Sequence, residues 1–350
     1  MSWHSCRLGD VLTLKRGHDL PEHSRQDGDV PVVSSSGITG RHTEAKATAP
    51  GVVTGRYGTI GEVFYLEEDY WPLNTALYVI DFKGNDPRFA SYFLRNILKG
   101  YQSEKAAVPG VDRNVLHEIK VRAPSHDLQL GIAGILSAYD DLIENNRRRM
   151  ALLEESARLL YREWFVRLRF PGYEHTSVVD GVPQGWGRKT LGDSITLNYG
   201  KALKAEIRVD GDYPVYGSSG IVGTHEKPLV QGPSIVLGRK GNVGSVYWSS
   251  KSFYPIDTVY FVSPESSSLY LFYALKNMHF ISTDVAVPGL NRDFAYSRPL
   301  LHPPRTLLRS FHETVEPIHA QLDKLEETNQ KLRAARDLLL PRLMNGELAV

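Results

Sequence analysis

At 350 residues, with 41% apolar and 23% charged side chains, the chain has room for two cored domains and the composition of an ordinary soluble protein. Cys6 is the only cysteine, which excludes an internal disulfide framework and a cysteine-based zinc site. The net charge of +1 excludes binding to nucleic acid by bulk charge alone; no apolar run is long enough to span a membrane and MSWHSCRLGD lacks a signal-peptide core, so a cytoplasmic protein without membrane association is expected.

The first predicted elements follow Leu8-Gly9-Asp10. Short β-type runs such as Gly51-Val52-Val53-Thr54, Glu62-Val63-Phe64-Tyr65 and Ala76-Leu77-Tyr78-Val79-Ile80 alternate with Gly, Pro and Ser turns, which predicts a small twisted sheet or barrel-like unit. Pro87 to Leu98 reads as a helix, so the class is mixed α/β. From Asp127 to Arg169 the pattern changes. Tyr139, Ile143, Asn146, Met150, Leu153, Ala157, Leu160 and Trp164 fall at alternating steps of four and three, a coiled-coil seam flanked by seven basic and seven acidic residues.

Beyond the linker RLRFPGYE the chain repeats itself. Leu8-Gly9-Asp10 returns 183 residues later as Leu191-Gly192-Asp193, and GDVPVVSSSGITG (Gly28 to Gly40) returns as GDYPVYGSSGIVG (Gly211 to Gly223), identical at 9 of 13 positions. GRYGTIGEV (Gly55 to Val63) returns as GRKGNVGSV (Gly238 to Val246), and AVPGVDRN (Ala107 to Asn114) as AVPGLNRD (Ala286 to Asp293) at a spacing of 179. A period this long excludes a solenoid and means two whole domains of one fold. A second helix is predicted at Ser268 to Asn277, and a second seam at Ile318, Leu322, Leu325, Asn329, Leu332, Arg336, Leu339 and Leu343. Expected boundaries are 1–125 for the first globular domain and 170–303 for the linker and the second, with spacer helices at 126–169 and 304–345.

The order domain, helix, domain, helix makes the two helices antiparallel partners. Pairing Asn146 with Asn329 also sets Ile143 against Leu332, Met150 against Leu325, Leu153 against Leu322, Ala157 against Ile318 and Ile132 against Leu343. Tyr139 would then face Arg336. Two seam asparagines that satisfy each other fix such a register. A rod of about 50 Å, at roughly 1.5 Å per residue, would hold two similar domains apart about a pseudo-two-fold axis.

The duplicated Leu-Gly-Asp openings, SSSG and GSSG segments, GRxGxxG and AVPGxxR motifs, the two long helices, and the linker RLRFPGYE followed by VPQGWGRKTLGD together resemble the DNA-specificity subunit of a type I restriction–modification enzyme over nearly the whole chain. The resemblance implies a non-catalytic subunit whose two target-recognition domains each read half of an asymmetric bipartite site in double-stranded DNA. It implies helices that act as spacer and as docking surface for two methyltransferase subunits. S-adenosylmethionine would sit on those subunits, and ATP and Mg²⁺ on restriction/translocase subunits. The rival reading is a pseudo-symmetric scaffold that binds protein without DNA.

Individual motifs carry two readings each. GRYGTIG and GRKGNVG have the wrong spacing for a dinucleotide fingerprint, and Val63-Phe64-Tyr65 continues as a strand, so the glycines read as a turn. Arg56 and Arg239 within them are candidate contacts to phosphate or to guanine O6/N7. Ser34, Ser35, Ser36, Ser218 and Ser219 read either as polar turns or as phosphate and base-edge partners, and Asn74 and Asp257 either as loop caps or as base contacts. Arg113 and Arg292, after Pro109-Gly110 and Pro288-Gly289, are candidate phosphate clamps or partners of Asp112 and Asp293. Tyr57, Lys201, Lys204 and Lys240 are further candidates, from loops that differ between copies. Arg147-Arg148-Arg149 reads by default as a solvated helix face, and otherwise as a contact with DNA bridging the half-sites or with a partner subunit. No methyltransferase (N/D)PPY, no phosphate-binding loop and no metal-spaced histidines occur, so no chemistry of its own is expected.

Overall fold

Each Leu-Gly-Asp opening is a capped turn, and the chemistry of its three residues explains why it occurs twice. Asp10 accepts from the Arg7 backbone N–H at 2.9 Å, and Asp193 accepts from the Thr190 N–H at 2.9 Å and the Thr190 hydroxyl at 2.6 Å. Leu8 and Leu191 are fully buried, and a Cβ on Gly9 or Gly192 would lie 3.1 Å from His117 Cβ or 2.9 Å from Tyr296 Cβ. The leucine anchors the turn, the glycine admits the neighbouring helix and the aspartate closes it.

The computed structural model describes residues 3–57, 61–99, 110–280 and 289–350. Residues 58–60, 107–109 (with Pro109) and 286–288 (with Pro288), parts of the duplicated glycine-rich motifs, lie outside the described residues. The chain divides into two compact units, 1–146 with 328–350, and 147–327, so each unit takes one globular domain and part of both long helices.

The first unit begins with β1 (Trp3–Arg7), α1 (Leu8–Val11), β2 (Thr13–Arg16), β3 (Val30–Ser34), β4 (Gly37–His42) and β5 (Gly51–Gly55). It continues with β6 (Val63–Leu66), β7 (Trp71–Pro72), β8 (Ala76–Asp81), α2 (Pro87–Leu98), α3 (Arg113–His117), β9 (Lys120–Pro124) and the start of α4 (His126–Tyr161). An antiparallel sheet β2-β8-β5-β6 is joined by a three-stranded sheet β4-β3-β7, in which β3 and β7 run parallel, and by the pair β1-β9. Helix α2 packs on β5 and β6, and Asp86 caps it by accepting from Phe89 N–H.

In the second unit, α4 passes through a π-helical turn at Arg162–Val166. There follow β10 (Val178–Val179), β11 (Val182–Pro183), β12 (Gly187–Thr190), β13 (Leu197–Tyr199), β14 (Tyr213–Gly217), β15 (Gly220–His225) and β16 (Ser234–Gly238). After them come β17 (Val246–Ser249), β18 (Tyr254–Pro255), β19 (Val259–Val262), α5 (Leu269–Asn277), α6 (Arg292–Tyr296), β20 (Pro299–His302) and α7 (Arg305–Met344). The sheets β13-β19-β16-β17 and β15-β14-β18 and the pair β12-β20 repeat the first unit strand for strand. The alternation of apolar and turn residues thus built one topology twice.

The long helices are antiparallel inside each unit. In the first, Asn146 Nδ2 donates to Asn329 Oδ1 at 2.9 Å with both residues buried, Ile143 is buried beside them, and Leu332 and Tyr139 are half-buried. Ile132 and Leu136 share a buried cluster with Leu340 and Leu343. An amide pair in an apolar seam is a registry device: losing one partner costs about 1–3 kcal/mol, which any slipped register would also incur. Arg336 pairs with Asp140 rather than with Tyr139, and the Tyr92 hydroxyl of α2 donates to the same carboxylate at 2.5 Å.

The second unit places Phe311 at the centre of an aromatic cluster with Tyr161, Trp164, Phe165 and Tyr273. Leu322 and Leu325 are buried, and Met150 and Leu153 are half-buried. His319, 179 residues after Asp140, meets the Tyr273 hydroxyl of α5 through Nε2 at 2.8 Å. Burial, with Lys276 nearby, brings this imidazole down to about 4, so it is neutral at pH 7. In each unit a tyrosine of the globular domain therefore ties its helix to the same position of the long helix.

Candidate nucleic-acid interface

The arginine of each GRxG motif emerges from the end of a central strand and is fixed by its backbone. Arg56 N–H donates to the Thr75 carbonyl at 2.9 Å, and the Arg56 carbonyl accepts from Val111 N–H at 2.8 Å. Arg239 repeats both bonds, to Thr258 at 2.9 Å and from Leu290 at 2.8 Å. Tyr57 bridges Gly110, and Lys240 bridges Gly289. These contacts bring the segment that carries Arg113, or Arg292, against the GRxG loop, although the two are more than fifty residues apart in sequence.

In the first unit the result is an open cleft of about 490 Å³ lined by Arg16, Arg56, Tyr57, Asp112, Arg113 and Asn114. The Arg56 guanidinium lies 4.5 Å from the Tyr57 ring centroid, with the tyrosine 42% exposed, so the cation is held on an accessible aromatic face. Asp112 caps α3 by accepting from Asn114 N–H at 2.8 Å, and among the described residues no carboxylate lies within ion-pair distance of Arg113. In α3, His117 Nε2 accepts from Leu14 N–H at 2.9 Å. Burial, then the charge of Arg113, pushes this imidazole below its ordinary value and preserves it as an acceptor.

The second unit uses the same frame with other contents. Arg239 and Arg292 lie 4.9 and 5.4 Å from the ring centroid of Tyr199, which takes the place of Arg16, and Arg239 also donates to the Asp257 carbonyl at 3.1 Å. Lys240 replaces Tyr57 and is exposed, Asp293 replaces Asn114, and Asn291 replaces Asp112 as the cap of α6. Across these six positions each unit carries three cations and one carboxylate. Equal charge gives equal attraction for phosphate, whereas the altered placement of donors and acceptors presents a different face to base edges.

The other candidates divide between frame and surface. Ser34 is buried, and its hydroxyl bonds Ser36 and the Gly37 carbonyl; Ser35 is half-buried and Ser36 exposed. Ser218 accepts from Asn242 N–H and Ser245 Oγ, which ties its turn to the loop carrying Lys240, while Ser219 is exposed. The Asn74 amide donates to Asp19, and Asp257 is exposed. Lys201 and Lys204 are exposed, with Lys201 N–H on the Pro255 carbonyl beside the Asp257 loop. No sequence motif singles out Arg16, Asn114 or Tyr199. The first and last of these sit at strand ends and reach the cleft only through pairing of β2 with β8 and of β13 with β19. The available signal was that positions 16 and 199 are equivalent and differ.

Among the described residues no helix is long and apolar enough to cross a membrane, and no cluster of three or more His, Cys, Asp or Glu residues is placed to hold a metal ion.

A family model described as the type I restriction modification DNA specificity domain matches residues 2–155 and again 183–294. The specificity subunit of the type I restriction enzyme MjaIX of Methanocaldococcus jannaschii is 24% identical over 294 residues, 74% of this chain and 66% of that protein. The specificity subunit of the Escherichia coli enzyme EcoprrI is 26% identical over 141 residues, 39% of this chain and 35% of that protein. The matched stretches thus span just under two thirds and about a third of these relatives. The crystal structure of a type I restriction–modification S subunit from M. genitalium has a similar fold, with a TM-score of 0.59 at 19% identity over 98% of this chain and 96% of that one.

Proposed function

The chain belongs to the type I restriction modification DNA specificity family, and from that premise we propose that its two globular domains each read one half of a bipartite double-stranded DNA target for catalytic partner subunits. The observation that carries this reading is the pair of arginine-lined surfaces on one duplicated frame, equal in charge and different in pattern. A device for grasping any DNA needs only the charge. A device for two different half-sites needs the difference as well.

In this reading residues 1–125 and 170–303 form the recognition domains, and the helices 126–169 and 304–345 set the length of the unread gap and present a docking face to two methyltransferase subunits. The methyltransferases hold S-adenosylmethionine, and the restriction/translocase subunits use ATP and Mg²⁺; this chain supplies selectivity and no reaction. Its net charge of +1 supports a division of labour in which the partners enclose the duplex and add positive charge.

The test is the methylated motif of the host genome, read by sequencing that detects modified bases. A motif with two defined half-sites and a fixed undefined gap, lost when the gene for this chain is deleted, is expected. A continuous motif, or a bipartite one that persists after deletion, contradicts the reading.

A further inference from the structure

Both copies leave an isoleucine in water at the same place. Ile38 follows the turn between β3 and β4, Ile221 follows the turn between β14 and β15, and their side chains are 55% and 60% exposed. The turn itself requires glycine before them, with φ of +98° at Gly37 and +100° at Gly220. Nothing in that requirement extends to the next residue, which faces solvent. One exposed isoleucine needs no explanation. The same one at the same hairpin tip in two copies calls for an external contact.

The hairpin is built into the cation-bearing surface. In the second unit the Ser218 carbonyl accepts from Ser245 Oγ at 2.6 Å and Tyr247 Oη at 3.1 Å, and Ser218 N–H donates to Thr258 Oγ1 at 3.3 Å. The carbonyl of that same Thr258 accepts from both Arg239 and Lys240 N–H. Hairpin tip and arginine loop are therefore bonded to the same threonine. In the first unit the Gly37 turn rests on Phe64 of β6, the strand that follows the Arg56 loop, and Thr75 holds Arg56 as Thr258 holds Arg239. In both units the outer strand of the hairpin, β4 or β15, is the edge of its sheet, so the tip is unobstructed by further strands of that sheet.

A two-stranded β-ribbon fits the major groove of B-DNA, where the apolar feature a base edge displays is the thymine C5-methyl group. Resting on the reading of the chain as a DNA-specificity subunit, we infer that Ile38 and Ile221 are specificity-determining residues, each packing on a thymine methyl in its own half-site. The arginines beside them bind phosphate or guanine, and the isoleucine adds a preference that charge cannot supply.

Deoxyuridine tests this directly, because it removes the methyl group and leaves base pairing unchanged. The full chain in complex with its co-expressed methyltransferase is titrated with duplexes carrying the methylated motif, each thymine replaced in turn. For the unmodified chain, one replacement in each half-site is expected to weaken binding about fourfold, the effect of one buried methyl group. Ile38→Ala should become indifferent to the replacement in one half-site and keep its response in the other; Ile221→Ala should do the reverse. Ile38→Val, which retains a branched surface, should keep the thymine preference. Both side chains are exposed, so melting temperatures matching the parent will show that the variants fold. The inference is overturned if no thymine methyl is felt, if either alanine variant responds to deoxyuridine as the parent does, or if the variants lose affinity equally for motif and scrambled DNA. A parent complex that binds motif and scrambled duplexes alike overturns the specificity reading itself, which is a separate and visible failure.

Discussion

Arg56→Ala combined with Arg113→Ala is expected to weaken binding of the partnered complex to its motif by about a hundredfold or more, with the folded state intact. Both side chains line the cleft of the first unit, and Arg113 is exposed and Arg56 half-buried, so their removal opens no core. A guanidinium bidentate to guanine is worth roughly 1–3 kcal/mol of discrimination, and two such losses give about 2–6 kcal/mol. The salt dependence separates the two modes of contact. If both arginines neutralise phosphates, the slope of log K against log salt should fall by about two, with scrambled DNA equally affected. If they read bases, the slope should hold and the loss should be confined to the motif. Titration at several salt concentrations measures both, and an affinity within threefold of the parent at every salt concentration contradicts the placement of the interface in this cleft.

Phe311→Ala should produce the largest loss of stability. Phe311 is fully buried, and its ring centroid lies 5.1 Å from that of Phe165, 6.0 Å from Trp164 and 6.3 Å from Tyr161 and Tyr273. It therefore joins α7 to α4 and to α5 within the second unit. Truncation removes about 3–5 kcal/mol of burial and packing, and edge-to-face partners add to that cost. At about 2–4 °C per kcal/mol for a unit of this size, the melting transition should drop by roughly 10 °C. Calorimetry should show this loss in one transition, with the component from the first unit retained. Phe311→Leu should recover part of the loss. A shift below about 2 °C would mean that the aromatic cluster does not hold the unit together.

The legible and illegible parts of the fold differ for physical reasons. The repeat was readable because its invariant residues answer local backbone demands: a carboxylate to cap a turn at Asp10 and Asp193, a glycine of positive φ at Gly37 and Gly220. The helix seam was readable because its period is local too, and the amides of Asn146 and Asn329 have no better partner in an apolar stripe than each other. Arg336 shows the limit of that method. Helical steps placed Tyr139 opposite it, whereas Asp140, one residue along, takes the charge and also gathers the Tyr92 hydroxyl from a different element. A periodicity along one helix carries no information about a third element packing on it.

The site follows the same division. Arg56, Tyr57 and Arg113 could be named from glycine-flanked positions in duplicated motifs, and the structure gathers them in one cleft. Arg16 and Tyr199 could not, because strand pairing across some sixty residues delivers them. The serines carried the opposite ambiguity: Ser218 recurs as Ser35 while Ser34 is Gly217 in the second copy, yet the hydroxyls of both Ser34 and Ser218 make bonds that hold a turn in place. Agreement between the copies marks mainly the frame. Ile38 and Ile221 are an agreed apolar pair that faces outward from the turn.

The central claim is that each copy reads its own half-site, and exchanging one copy tests it most directly. Residues 180–303 are replaced by the corresponding domain of another member of the family, the chimera is expressed with the parent's partner subunits, and the methylated motif is read before and after. One half of the motif should change while the other half stays as it was. A change in both halves, or in neither, would contradict the account.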